Sequence, residues 1–143
     1  MRRHLALILM LLLLGASALV VEVVEAGAAT GRPATVPIKV VRIFPMSLCN
    51  NGAEFCFQPR KISIASGTKV VFKNKTVTVH TVTRCFIPAC PVAGGTGTDA
   101  GFGSPGYIQP GSKYSFTFHG TGTYVYYCQV HGYLIMHGKI TVT

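Results

Sequence analysis

The sequence predicts an all-β fold, a two-sheet sandwich preceded by an N-terminal export or anchor segment. Three observations predict it. From residue 38 onward, short runs of β-branched and aromatic residues alternate with polar ones. Gly-, Ser-, Asn- and Pro-rich turns separate those runs. Helical periodicity is absent throughout the same stretch. Many short strands with regular turn punctuation are the signature of a β-sandwich.

The elements follow in order. Arg2 and Arg3 precede an unbroken apolar run from Leu5 to Leu14, and small residues follow at Gly15, Ala16, Ser17 and Ala18. That is the layout of a secretory signal peptide, with competing small-x-small sites at Ala16-Ser17-Ala18 and Ala26-Gly27-Ala28. The alternative is a retained membrane anchor: apolar character extends to Val21 before Glu22 interrupts it, at the short edge of the roughly 20 residues a span needs. Either reading assigns residues 1–28 to export or anchoring, 29–36 to a Gly-, Ala-, Thr- and Pro-rich linker, and 37–143 to one folded domain on the periplasmic or extracellular side of a membrane. Expected strands are Ile38 to Phe44, Phe55 to Phe57, Ile62 to Ile64, Lys69 to Lys73, Val77 to Val82, Lys113 to Phe118, Thr123 to Cys128 and Lys139 to Val142. The stretch from Pro91 to Ser112 holds seven Gly and three Pro. It reads as an irregular surface excursion pinned at its start by Cys90, and the simpler reading is a mobile loop without functional consequence.

Composition narrows the function classes. With residues 1–28 removed, eleven Lys and Arg face only two acids, Glu54 and Asp99. Such a surface favours acidic partners or an anionic membrane surface. Nucleic acid is disfavoured, because the cations are scattered singly and not gathered in a tract with interleaved aromatics. Two acids also leave little material for general acid–base catalysis, and no catalytic triad is visible. Five cysteines in an exported chain indicate disulfides, with one left over. If Cys128 binds a metal, Cys49, Cys56, Cys85 and Cys90 remain for two bridges in three connectivities, of which Cys49–Cys56 with Cys85–Cys90 is the simplest.

The chemistry concentrates in the run YYCQVHGYLIMHG, where Cys128, His131 and Met136 stand at the spacing C-x2-H-x4-M. A thiolate, an imidazole and a thioether form a soft donor set, and with one more His they suit copper in a His2Cys site with a weak Met. His80, in the Val-Thr run, is the candidate for that second His. Structural zinc is the competing metal, but zinc prefers several Cys or His and does not favour Met. Taken singly, Met136 reads as core filler and His80 as a satisfied strand histidine. His137, adjoining Met136, is expected to point to the opposite side of the chain and to be exposed, and His119 to be solvated in its Gly-rich turn.

The segments GTKVVFKNKTVTVHTVT and GTYVYYCQVHGYLIMHGKITV together resemble the plastocyanin-like cupredoxins, the blue copper proteins. The resemblance covers most of the chain from about Phe55. It implies a cupredoxin-like Greek-key β-sandwich and one type 1 copper ion held by His80, Cys128, His131 and Met136. It further implies a non-enzymatic, one-electron outer-sphere shuttle that works as a monomer with a redox partner protein. The basic surface suggests an acidic docking face on that partner, while the N-terminus allows membrane attachment. A copper-delivery protein of the same fold is the alternative. Asn74 matches the family's Asn six residues before the first ligand His. Two features depart from the family pattern: Thr81 stands where plastocyanins often carry Asn, and Cys85 and Cys90 are not a general family feature.

Overall fold

The computed structural model describes residues 35–50 and 52–143. The segment expected to direct export, residues 1–28, lies outside them. Eight strands form: β1 (Ile38–Pro45), β2 (Phe55–Gln58), β3 (Lys61–Ile64), β4 (Thr68–Asn74), β5 (Thr83–Arg84), β6 (Lys113–Phe118), β7 (Gly122–Tyr127) and β8 (His137–Val142). A single 3-10 turn over Met46–Leu48 is the one helical element among the described residues. The strands assemble into two four-stranded sheets, ordered β2-β1-β4-β6 and β3-β8-β7-β5. The β1/β4 and β3/β8 pairs are parallel and the others antiparallel.

The alternation that predicts the strands also builds the core. Successive side chains leave a strand on opposite faces, so Val41 and Ile43, Val70 and Phe72, Tyr124 and Tyr126, and Ile140 and Val142 all turn inward and are buried. Each of the aliphatic and Phe side chains among them contributes about 1.5–3 kcal/mol of hydrophobic stabilisation. Aromatic rings interlock at the centre: Tyr126 meets Phe57 at 4.9 Å and Phe72 at 5.4 Å, both edge-to-face. Two disulfides form with the local pairing, Cys49–Cys56 and Cys85–Cys90, and Cys128 is left free and buried.

Two expectations need correction. Residues 77–82 are not a strand: Val77 is 92% exposed, and His80 makes only an isolated bridge to Ile108. The alternating Val and Thr favour extended backbone, but the side chains of Asn74 and Thr76 bond to their own neighbourhood and turn the chain instead. The excursion from residue 91 to 112 is irregular, as expected, yet it is not idle. Phe102 and Ile108 are buried in the core. Gly97 lies flat against Tyr124, where a Cβ would come within 2.2–2.4 Å of the ring. Asp99 fastens the excursion to the β6–β7 turn by accepting the amides of His119 and Gly120, both at 3.0 Å, and the Tyr124 hydroxyl at 2.9 Å.

Candidate metal centre

His80 is set by a chain of hydrogen bonds that begins in β4. Asn74, wholly buried at the end of that strand, donates from Nδ2 to the carbonyls of Thr78 (2.8 Å) and Ile108 (2.9 Å). Its Oδ1 accepts the Thr76 amide at 2.9 Å and the Thr76 hydroxyl at 2.8 Å. With its own proton committed to Asn74, the Thr76 hydroxyl accepts from His80 Nε2 at 2.8 Å, and Thr78 Oγ1 lies 3.1 Å from the same nitrogen. Nε2 therefore carries the ring proton and Nδ1 keeps its lone pair, the tautomer required of a metal ligand. The backbone of His80 is clamped from the other side by Ile108, through N–H···O bonds of 3.2 Å and 2.7 Å. Thus Asn74 and the Gly-rich excursion together aim one imidazole.

The other donors come from the β7–β8 connection. Cys128 follows directly on β7, and the loop closes on itself: Gly132 N–H donates to Cys128 O, Met136 N–H to Gly132 O, and Cys128 N–H to Met136 O. Gly132 supplies the turn with a φ of +79°, which residues bearing a Cβ seldom adopt. The result brings His131 Nδ1 to 3.3 Å from Cys128 Sγ, with His80 Nδ1 at 3.7 Å. All three donor atoms lie within 4.8 Å of one another, with His80 and Cys128 buried and His131 half-buried. Met136 is fully buried in the core cluster that includes Cys128.

Burial and mutual proximity act on the imidazoles. Desolvation, reinforced by the neighbouring His131, lowers the His80 pKa from 6.5 to about 4. Desolvation also lowers that of His131, against an opposing pull from Glu54. Both rings are held neutral and ready to donate lone pairs.

Three site residues escaped the sequence reading. Phe55 of β2 packs on His80 at 5.0 Å and on His131 at 4.5 Å, walling both rings. Its neighbour Cys56 is tied to Cys49, which a search for residues flanking the first disulfide could have exposed. Thr76 and Thr78 hide in an apparently ordinary strand pattern. Thr81, where a departure from the family pattern stands, takes over a bracing role: its N–H donates to Cys128 Sγ at 3.3 Å and its hydroxyl accepts the Gln129 amide at 2.8 Å. His137 is half-buried instead of exposed. It stacks on Tyr133 with ring centroids 4.3 Å apart and donates from Nδ1 to the Tyr133 carbonyl at 2.6 Å.

An unpaired buried thiol beside two imidazoles with inward lone pairs is a donor set for a soft or borderline ion, and it fits copper. Residues 45–143 match the sequence model of the copper-binding proteins of the plastocyanin/azurin family. The chain belongs to that family. Among related proteins, plastocyanin from Lactuca sativa is 38% identical over 92 residues, covering 60% of this chain and 86% of the relative. Two solved structures under 25% identical support the cupredoxin fold. The purple cupredoxin from Nitrosopumilus maritimus has a TM-score of 0.56 at 23% identity and covers 73% of this chain and 98% of that one. A reduced amicyanin variant has a TM-score of 0.54 at 24% identity, covering 76% and 85%. The metal of this plastocyanin-like cupredoxin is copper, one ion in a His-Cys-His setting.

Proposed function

We propose that the chain is an exported one-electron carrier whose copper is held by His80 Nδ1, Cys128 Sγ and His131 Nδ1, with the Met136 thioether as a fourth and weaker donor. The observation that carries this reading is the convergence of the three strong donors in a pocket shaped by the protein's own hydrogen bonds. Copper, when bound, supplies one-electron redox chemistry. The chain holds the donors in place from two directions, the Asn74–Thr76 relay behind His80 and the closed 128–136 loop, so little rearrangement accompanies a change of oxidation state. Four protein donors leave no open position for a substrate, which distinguishes a carrier from an enzyme.

His131 offers the route for electrons. Its ring borders a shallow groove with Pro88, Pro91, Tyr133, Leu134 and Ile135, and Leu134 is 87% exposed. Apolar contact around one half-buried imidazole suits brief encounters. The Cys85–Cys90 loop forms the far wall of the groove, which gives that disulfide a role beside the copper end.

The test is reconstitution of the domain with Cu(II). An intense, reversible blue colour is expected in the native protein, and its retention in Cys128→Ser would refute the ligand assignment. Fast reaction with outer-sphere oxidants and slow copper loss to a chelator fit the carrier; the opposite pattern would fit a delivery protein.

A further inference from the structure

A basic cleft lies alongside the His131 groove. It has a volume of about 230 Å³ and is lined by Arg60, Lys61, Val125, Tyr133, His137 and Lys139, among others. Lys61 and Lys139 are Cα partners in the parallel β3/β8 pair, and both are exposed. The pair therefore sets two positive charges at one register on neighbouring strands, as Lys73 and Lys113 do on the other sheet.

Arg60 adds a third positive charge with no counterion among the described residues. Its Nη2 meets His137 Nε2. Because His137 Nδ1–H already donates to the Tyr133 carbonyl, Nε2 is the lone-pair nitrogen of a neutral ring and accepts from the guanidinium. The contact positions Arg60 and neutralises nothing. Neither described acid helps: Asp99 is engaged with the 119–120 turn, and Glu54 acts on His131. Both are missing from the lining of the cleft.

Tyr133 belongs to both walls. It lines the basic cleft with Arg60 and Lys139, and it lines the apolar groove with His131 and Leu134. A second cationic cluster, Lys73, Lys75 and Lys113, lies on the other sheet and shares no lining residue with the groove.

We infer that the Arg60–Lys61–Lys139 cleft is the electrostatic half of the docking surface, receiving carboxylates of an acidic electron-transfer partner while that partner's apolar contact covers the His131 groove. This rests on the carrier reading above. Attraction at the cleft speeds encounter and sets orientation, and the groove makes the short contact for transfer.

The experiment compares two double variants of the Cu(I) protein, each changing net charge equally: Lys61→Glu with Lys139→Glu at the cleft, and Lys73→Glu with Lys113→Glu on the other sheet. Stopped-flow oxidation by anionic hexacyanoferrate(III) and by cationic tris(phenanthroline)cobalt(III) is followed at low and high salt. The cleft variant should lose roughly tenfold in rate with hexacyanoferrate at low salt and gain with the cobalt complex, while the other variant changes far less; high salt should erase the difference. Equal losses in the two variants overturn the proposal, since only net charge would then matter. Paramagnetic hexacyanochromate(III) should broaden the amides of Tyr133, Gly138 and Lys139, and broadening centred on Lys73 and Lys113 would also overturn it. If anionic phosphatidylglycerol vesicles bind through the cleft while the oxidation rates stay equal, the cleft is a membrane contact and the proposal fails. A native protein that turns blue yet reacts with neither oxidant sinks the carrier reading itself.

Discussion

The backbone N–H of Thr81 points at the Cys128 sulfur from 3.3 Å, and the hydroxyl of the same residue accepts the amide of Gln129, the residue after the cysteine, at 2.8 Å. One threonine therefore holds both the thiol and the start of its loop. Thr81→Val keeps the amide and the shape but removes the oxygen, leaving the Gln129 amide and the Thr83 hydroxyl, 2.9 Å from it, short of a partner. We expect a loss of about 1–3 kcal/mol in urea denaturation of the metal-free protein, with the blue absorption retained because the bond to sulfur survives. Loss of the colour would show that the hydroxyl, not the amide, organises the sulfur.

Thr76 sets the tautomer of His80 by accepting its Nε2 proton. Thr76→Val removes that acceptor, and a ring free to turn or to switch tautomer binds metal less well. Copper affinity should fall about 10–100-fold in competition with a chelator, the range seen when outer hydrogen-bond partners of ligands are removed. Thr76→Ser, which keeps the hydroxyl, should restore most of it.

The metal-free protein should weaken in mild acid. Burial, with His131 nearby, lowers the His80 pKa from 6.5 to about 4. Between those values the unfolded chain binds a proton that the folded chain refuses, so stability declines as pH falls from about 6.5 and levels off below about 4. The loss is on the order of 3 kcal/mol from His80, and His131, also shifted down by burial, acts in the same direction. Urea midpoints measured across this range check it; a His80→Gln variant should show a shallower slope, and an equal slope would exclude His80 as the source.

Asp99 lies at the other end of β7 from Cys128, where it gathers two backbone amides and the Tyr124 hydroxyl. Asp99→Ala should cost about 2–3 kcal/mol by thermal or chemical unfolding. The copper spectrum should hardly move. A spectral change as large as that of a ligand variant would mean that the excursion transmits its position to His80 more strongly than its single bridge at Ile108 suggests.

The Tyr126 hydroxyl is buried and finds no hydrogen-bond partner among the described residues. Burial accordingly pushes its pKa up. Tyr126→Phe removes an unsatisfied polar atom while keeping the ring that packs on Phe57 and Phe72. The variant should be as stable as the native protein or more so, by about 1 kcal/mol; a clear loss would reveal a partner for that oxygen.

The strands and the donor set were legible because both rest on local pattern. Alternation marks β6 and β7 almost to the residue, and C-x2-H-x4-M compresses three donors into one loop. Beyond His80 itself, what failed to show was what contacts distant in sequence carry. Ile108 clamps His80 from a stretch whose Gly and Pro content reads as loop, and nothing local says that Phe102 enters the core. Residues 77–82 misled for a different reason: Val and Thr favour strands on average, but a threonine hydroxyl within reach of a buried Asn has a better bond to make. Phe55 was invisible as a site residue because aromatic residues in strands are ordinary, and only its position beside two imidazoles makes it otherwise.

The short reach of the two disulfides bears on how this chain avoids a chemical accident. Its pairs are separated by only seven and five residues, whereas Cys128 stands far along the chain from all four partners. Short loops close soonest and at the least entropic cost. Under oxidising conditions each pair should find its mate while Cys128 is still remote, and folding then seals the remaining sulfur inside the sandwich. Proximity along the chain thus acts as a sorting rule: it spares the single thiol that must stay reduced until metal arrives.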